Sequence, residues 1–299
     1  MANIRLLDKR RKSIRNIRKI TRTMELIATA RFKKALDRAS AATDYTNRIT
    51  SIVQDLAKTG TDVSHPLLQS RDEVKNAELV LLTSNRGLCG GYNGSVIRTA
   101  LVRRAEIIEK VASVPVNVSG KRGISALRFR GIPIEKTFTQ FDDEPAFDEV
   151  AKIADDLIER FVSGKIDRVD IAYTKFVSVS KQIAVAETLL PIANLETETK
   201  KAITPSESSQ SGFRDDYEFL PSAASILEEV VPAAFRARLF KCFLDAAVSE
   251  QIARMVAMKS ATENAGDIIK QLSRTYNRAR QSKITQEIME IIGGVEALG

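Results

Sequence analysis

Residues 222–299 decide the fold, and from Ser249 onward they read SEQIARMVAMKSATENAGDIIKQLSRTYNRARQSKITQEIMEIIGGVEALG. No proline follows Pro232, and Gly266 is the single glycine between Pro232 and Gly293. Apolar residues recur three and four positions apart, as on one face of a helix. They are Val248, Ile252, Met255, Ala265, Ile268, Leu272, Ile284, Ile288, Ile291, Val295 and Leu298. The pattern predicts one helix from Ser222 to Gly299, roughly 110 Å long at about 1.5 Å per residue.

So long a helix needs a partner, and the other end of the chain supplies one. Residues 3–58 contain neither proline nor glycine, which favours a second long helix. The same spacing predicts its contact positions as Ile14, Ile17, Thr21, Met24, Ala28, Arg31, Ala35, Arg38, Ala42, Tyr45, Ile49, Ile52 and Leu56. Two seven-residue repeats from opposite ends predict a left-handed antiparallel coiled coil. The alternative is two separate amphipathic helices packed on a globular body.

Between the two helices the pattern changes to short strands alternating with helices. Strands are predicted at 78–83, 114–118, 132–138, 167–179 and 182–191, and helices at 95–111, up to 129 and at 147–162. This order is typical of an α/β domain with parallel pairing and a hairpin at its end. The predicted domains are an N-terminal coiled-coil helix (1–60), an inserted Rossmann-like α/β domain (75–195), a linker (196–219) and a C-terminal coiled-coil helix (220–299). Pro232 is predicted to kink or restart that last helix.

The net charge is +8 over 299 residues, and residues 1–34 alone carry +10. A basic helix of this kind indicates nucleic acid, anionic lipid or an acidic protein surface as its partner. No apolar run is long enough to span a bilayer, and no secretory signal is visible. The two cysteines lack CxxC spacing, which fits a reducing compartment. His65 is the only histidine, so a histidine-based metal or catalytic site is nearly excluded.

The candidate for chemistry is the glycine-rich turn SNRGLCGGYN (Ser84–Asn93), which follows a strand and precedes a helix. Phosphate loops share this layout, but neither GxGxxG nor GxxxxGK[ST] is present. A second turn, SGKRG from Ser119, lacks the upstream glycine and the Ser or Thr after its lysine. The carboxylate pairs Asp142-Asp143 and Asp155-Asp156 have no nucleophile or base beside them. The sequence therefore predicts tight turns, with no catalytic residue, cofactor or metal ligand.

Four stretches, in this order, carry a resemblance to a known family. They are IRKITRTMELIATARFKKA (Ile17–Ala35), SNRGLCGGYN, SEQIARMVAMKSATENA (Ser249–Ala265) and RTYNRARQSKITQEIMEIIGG (Arg274–Gly294). With them, and over essentially its whole length, the chain resembles the γ subunit of the bacterial F-type ATP synthase.

The resemblance implies a mechanical part and not an enzyme. The coiled coil would be the rotating shaft inside a ring of three α and three β subunits, and the α/β domain the foot that grips the c-subunit ring together with ε. Proton flow would thereby be coupled to ATP synthesis or hydrolysis at β, in a complex that also contains δ. The implied location is the cytoplasmic face of the bacterial plasma (inner) membrane, as a peripheral subunit that binds neither cofactor nor nucleic acid.

The resemblance also implies contact residues. Those expected to meet an acidic loop of β are Met24, Arg31, Lys33 and Lys34. Those expected to form a polar contact with β, here called the catch residues, are Arg280, Gln281, Thr285 and Glu287. Those expected inside the apolar sleeve of the ring, here called the pivot residues, are Ile284, Ile288, Ile291, Ile292, Val295 and Leu298.

Neither Cys89 nor Cys242 lies in an insert like that of the chloroplast type, so thiol regulation is not expected. The alternative function is a basic coiled-coil nucleic-acid-binding protein, since a phosphate backbone attracts such a helix. It is disfavoured because the basic residues are interleaved with Ile14, Ile17 and Ile20 instead of preceding them.

Overall fold

The structure is a computed structural model that describes residues 4–58, 65–69, 71, 73–109, 111, 113–141, 144–192 and 223–296. The predicted linker, the pair Asp142-Asp143, Ser222 and Leu298 lie outside the described residues. The chain divides into two compact units, one of Met1–Ala30 with Arg254–Gly299 and one of Arg31–Ala253. Both boundaries fall inside the long helices, so each of those helices belongs partly to each unit.

The two long helices are present as predicted. Helix α1 is Ile4–Lys58, 55 residues long, and the C-terminal helix, α5, is Ala223–Glu296, 74 residues long. Helix α5 continues through Pro232, so the predicted restart there is wrong. Proline removes one backbone hydrogen bond, but its neighbours Val231 and Phe235 are fully buried, and their packing holds the helix together across the gap.

Three contacts in the first unit show that the helices run antiparallel. The hydroxyl of Thr262 donates to Thr21 Oγ1 at 2.8 Å, and the Arg11 guanidinium lies 4.5 Å from the centre of the Tyr276 ring. The Arg18 guanidinium carbon lies 3.9 Å from the position that a Cβ atom on Gly266 would occupy. As residue numbers rise along α1, those of the contacted residues fall along α5, which confirms the predicted antiparallel pairing.

Of the twelve predicted contact positions on α1 whose burial is described, four are displaced by one residue. The exposed Met24, Tyr45 and Ile52 are followed by the buried Glu25, Thr46 and Val53, and Ala39 is buried in place of Arg38. Ile17 and the Arg18 that follows it are both exposed. On α5, Ile268 is likewise exposed. Ala28 and Ala35 are buried at their predicted positions. Ile49 and the displaced Val53 lie in the apolar core of the second unit, so the buried side of α1 there is set by that core and not by a two-helix repeat alone.

Within the second unit, a five-stranded sheet has the order β3-β2-β1-β4-β5. Its strands are β1 (Ala77–Leu82), β2 (Val116–Ser119), β3 (Ile134–Phe138), β4 (Arg168–Ser178) and β5 (Lys181–Leu190). All neighbours pair in parallel except β4 and β5, which form the predicted antiparallel hairpin. The inserted Rossmann-like α/β fold is therefore confirmed.

Helices cover both faces of this sheet. They are α2 (Tyr92–Ile108), α3 (Lys121–Phe129) and α4 (Phe147–Val162). One apolar core lies between the sheet and helices α2 and α3. The other joins the opposite face to α4 and to apolar residues of α1 and α5 that belong to this unit, Ile49 and Phe235 among them. The end segments of the chain thus help to build the core of the α/β body.

Candidate functional site

The glycine-rich turn after β1 satisfies its own polar groups. The Ser84 amide donates to Asn93 Oδ1 at 3.0 Å, and the Ser84 hydroxyl donates to the Arg86 carbonyl at 2.6 Å. Asn93 Nδ2 lies 3.1 Å from Sγ of the buried Cys89. The polar side chains Ser84 and Asn93 are thus engaged with one another and with the loop.

In a sheet of this topology, ligands bind where the strand order reverses, at the carboxyl ends of β1 and β4. Helix α5 lies across this point. The Tyr92 hydroxyl, at the start of α2, donates to the Ala246 carbonyl at 3.1 Å, and the Ser249 hydroxyl donates to the Thr174 carbonyl at 3.2 Å. Both flanks of the crevice are therefore bonded to α5, which occupies the usual place of a nucleotide.

The second turn, SGKRG, has a packing role. Gly120 has φ +99°, and a Cβ there would lie 2.1 Å from the Thr83 carbonyl oxygen. The glycine is thus required by the close approach of two backbones and not by a phosphate. In the part of the chain that the structure describes, no group of three or more His, Cys, Asp or Glu side chains is arranged to hold a metal ion.

The four residues expected to meet an acidic loop belong to different units. Met24 lies in the first unit with its side chain partly exposed, whereas Arg31, Lys33 and Lys34 lie in the second. Lys34 Nζ is 2.8 Å from the Glu144 carboxylate, and this hydrogen bond holds the pKa of Glu144 below its ordinary value. Lys34 therefore already has an acidic partner within the chain, while Lys33 is exposed.

The catch residues all lie on the exposed surface of α5 in the first unit. Arg280 and Glu287 are seven positions apart and share one side of the helix, while Gln281 and Thr285 occupy the adjacent side. Thr285 donates to the Gln281 carbonyl at 3.0 Å, and Glu287 is paired with Lys283 at 3.3 Å. The four side chains thus form a continuous polar surface two turns long.

The five described pivot residues lie within about 100° of the helix circumference. Their side chains are between 47% and 69% exposed. The start of α1, at Ile4 and Arg5, faces another side of α5, where it lines a cleft with Ala279, Lys283 and Gln286. The pivot residues therefore point away from α1. The sequence pattern had grouped them with the seam between the two helices, but they do not continue it.

A buried charge cluster links α4 to the sheet. Glu78 of β1 is fully buried; Arg160 Nη2 lies 2.7 Å from its Oε2, and the Asn117 amide donates to its Oε1. Glu135 and Asp156 also lie near Arg160, at 3.4 and 3.8 Å. Burial raises the pKa of Glu78 to about 7, against the opposing effect of Arg160.

This cluster predicts a dependence of stability on pH. Because the folded-state pKa is raised, ionised Glu78 opposes folding, and stability falls as the pH rises from about 4.5 through 7. Relative to Glu78→Gln, the wild-type chain should lose roughly 2–3 kcal/mol of unfolding free energy between pH 5 and 8. Urea unfolding of both proteins at the two pH values tests this, and parallel pH profiles would contradict it. Glu159→Gln, an exposed glutamate of α4 outside the cluster, is the control and should follow the wild type.

A second basic region lies in the α/β body, where the net negative charge of the chain after residue 34 conceals it. Residues 84–131 contain nine basic and two acidic residues, a net charge of +7, which leaves −9 outside the two basic regions. Counting charge by predicted element would have found it. Several of these cations lie on the outer side of α3.

Comparison with known proteins defines the class. A family model described as ATP synthase matches residues 3–298. The ATP synthase gamma chain of Rhodopirellula baltica is 63% identical over 298 residues, covering 100% of this chain and 99% of that protein. A gamma chain from Leptospira biflexa is 38% identical over 298 residues and covers 100% of both. These matches define an ATP synthase subunit.

The chain belongs to the family of ATP synthase gamma chains. Its fold agrees with that membership. A chain of the Euglena gracilis mitochondrial ATP synthase (OSCP/F1/c-ring, rotational state 3) superposes with a TM-score of 0.63 at 19% identity, covering 99% of this chain and 94% of that one. A central stalk/c-ring chain from Tetrahymena thermophila gives 0.59 at 20% identity, covering 81% and 99%. No helix in the described ranges is both long and apolar enough to cross a membrane.

Proposed function

We propose that this chain is the central rotating shaft of a bacterial F-type ATP synthase, coupling transmembrane proton flow to ATP synthesis or hydrolysis at the β subunits. The full-length match to gamma chains supports this role. The observation that carries it is the direction of the pivot residues. They form an apolar surface on the last turns of α5 that faces away from α1.

An apolar helix surface of this kind requires a second apolar surface around it. A sleeve formed by the ring of α and β subunits supplies one without fixing the helix at a single rotational position. The shaft is asymmetric, so it contacts three identical β subunits in three different ways. Each β is then biased toward a different conformation, because a contact shifts an equilibrium by its difference between states.

The chain itself performs no catalysis in this proposal. Support comes from helix α5, which is bonded to both flanks of the crevice where a nucleotide would bind. Its partners are the α, β and ε subunits and the c-ring, with δ in the same complex. The location is the cytoplasmic face of the bacterial inner membrane, and no nucleic acid is involved.

The basic end of α1 is proposed to face an acidic surface of β. Arg31, Lys33 and Lys34 are the candidates beside Met24, although Lys34 also pairs with Glu144 within the chain. Exposed ion pairs contribute only about 0–1 kcal/mol each and are screened by salt. Charge would therefore lower the energy barriers between successive rotational positions of the shaft, while the rigid paired helices transmit torque.

Reconstitution tests the proposed function. Purified α and β subunits are mixed with or without this chain, and steady-state ATP hydrolysis is measured. We expect the chain to be required for full turnover, and calorimetry of the chain alone to show no micromolar ATP binding. ATP hydrolysis by the isolated chain, or equal turnover without it, would refute the proposal.

The catch residues give a prediction within the reconstituted complex. Arg280→Ala and Glu287→Ala should each lower ATPase turnover several-fold, because a charge-assisted hydrogen bond contributes roughly 1.5–3 kcal/mol. Nucleotide affinity at isolated β should not change. Glu290→Ala is the matched control, because Glu287 and Glu290 both line the cleft at the start of α1 and only Glu287 is a catch residue. Wild-type turnover in both catch variants would remove these residues from the coupling contact.

A further inference from the structure

Helix α3 is buried on one side and basic on the other. Gly123, Ile124 and Leu127 pack on the sheet. The opposite side, here called the α3 surface, consists of Lys121, Arg122, Ser125, Arg128 and Phe129, together with the following Arg130, and all six are exposed. The helix contains no acidic residue. Its outer side is therefore purely basic apart from one serine and one aromatic ring.

The cations of the α3 surface are unneutralised. None of the four forms an ion pair with a carboxylate in the described part of the chain. By contrast Arg103, in the same basic region, points inward and bonds to the buried Asp170 at 3.0 Å. The charge of the α3 surface is thus available to an external anion.

Phe129 is 91% exposed, so almost its whole ring stands in water. Its position is fixed by the helix end: the Arg130 and Gly131 amides donate to the Leu127 and Arg128 carbonyls, both at 3.0 Å. A single exposed apolar side chain is ordinary on a protein surface, but this ring lies among four cations without carboxylate partners in the described ranges. It suggests a partner that accepts both an apolar ring and positive charge.

We propose that the α3 surface contacts an anionic phospholipid membrane. Cations bind the phosphate-rich headgroup layer, each strengthening the contact about fivefold, and an aromatic ring between them is stable at the headgroup level. A fluid interface accepts a protruding ring, whereas an aromatic anchor in a protein complex fills a matching pocket. This inference goes beyond the proposed function, in which the chain reaches the membrane only through other subunits.

The chain contains no tryptophan, so a single introduced one reports its own surroundings. Phe129→Trp in the full chain is mixed with vesicles of phosphatidylglycerol or of phosphatidylcholine, and its fluorescence is recorded. We expect a blue shift, with quenching by brominated acyl chains, on phosphatidylglycerol only. The shift should be lost when Arg128→Gln and Arg130→Gln are added. Circular dichroism checks that these variants remain folded.

The basic start of α1 will itself attract such vesicles, so a second reporter is needed. Tyr45→Trp, exposed on α1, serves as the matched control and should show no blue shift. Equal shifts in the two variants, or a shift on neutral vesicles, would overturn the proposal. So would a Phe129→Trp chain that sediments with phosphatidylglycerol while its indole stays in water, or one whose indole responds to an acidic polypeptide such as polyglutamate and not to vesicles. The reconstituted ATPase assay is unaffected by any of these results, so the two proposals fail independently.

Discussion

Replacing Ile288 and Ile291 by serine is expected to weaken assembly of this chain with α and β subunits on the order of 100-fold or more. Both side chains are at least half exposed in the chain alone and lie within the pivot surface. Burial of an aliphatic side chain contributes about 1.5–3 kcal/mol, so the loss of two is large. Yield of the complex on gel filtration and its dissociation rate measure the effect.

Met289→Ser is the matched control for that experiment. Met289 is as exposed as its neighbours but lies outside the sector of the pivot residues. It should assemble almost as the wild type does. Equal weakening by Met289→Ser and by the double variant would show that general hydrophobicity, and not a directed apolar surface, holds the end of the shaft.

Replacing Gly120 by alanine should unfold the α/β body or reduce its stability by about 3–5 kcal/mol. The backbone there has φ +99°, which side-chain-bearing residues rarely adopt, and the new Cβ would meet the Thr83 carbonyl at 2.1 Å. Neither backbone can move without breaking the sheet. Urea unfolding followed by circular dichroism measures the loss.

Gly94→Ala is the corresponding control, since no atom lies within 4 Å of its added Cβ and the residue is inside α2. Alanine is the better helix former, so this variant should be stabilised by up to about 1 kcal/mol. A Gly120→Ala protein as stable as Gly94→Ala would contradict the close approach of the two turns.

Much of the fold follows from the sequence because its signals are local. The absence of glycine and proline from 3–58 predicts α1 almost to the residue, and apolar runs bounded by turns predict the strands of the sheet. The packing side of a helix is less local. The regular spacing chose Ile17 and Met24 as contact positions, but both are exposed and Glu25 is buried instead, whereas the predicted Ala28 is buried as expected.

Prediction of the candidate site from the sequence was limited by the same non-local packing. Sequence spacing groups the pivot residues on one side of α5, but it does not say whether that side meets α1 or another molecule. The start of α1 lies against a different side of α5, and only this position shows that the pivot residues do not meet α1. Likewise, the turn sequences exclude a phosphate loop, but the bonds from Tyr92 and Ser249 to their partners across α5 and the sheet are long-range and leave no sequence motif.

The small side chains between α1 and α5 also bear on how the protein should be handled. Among the described residues of the first unit, the buried apolar side chains are Ala28, Met258 and Ala265, while Ile17, Ile20 and Ile27 face solvent. Expressed alone, the chain would present these surfaces to other copies and tend to aggregate. Co-expression with the α and β subunits that we propose as its partners is therefore the practical route to soluble material.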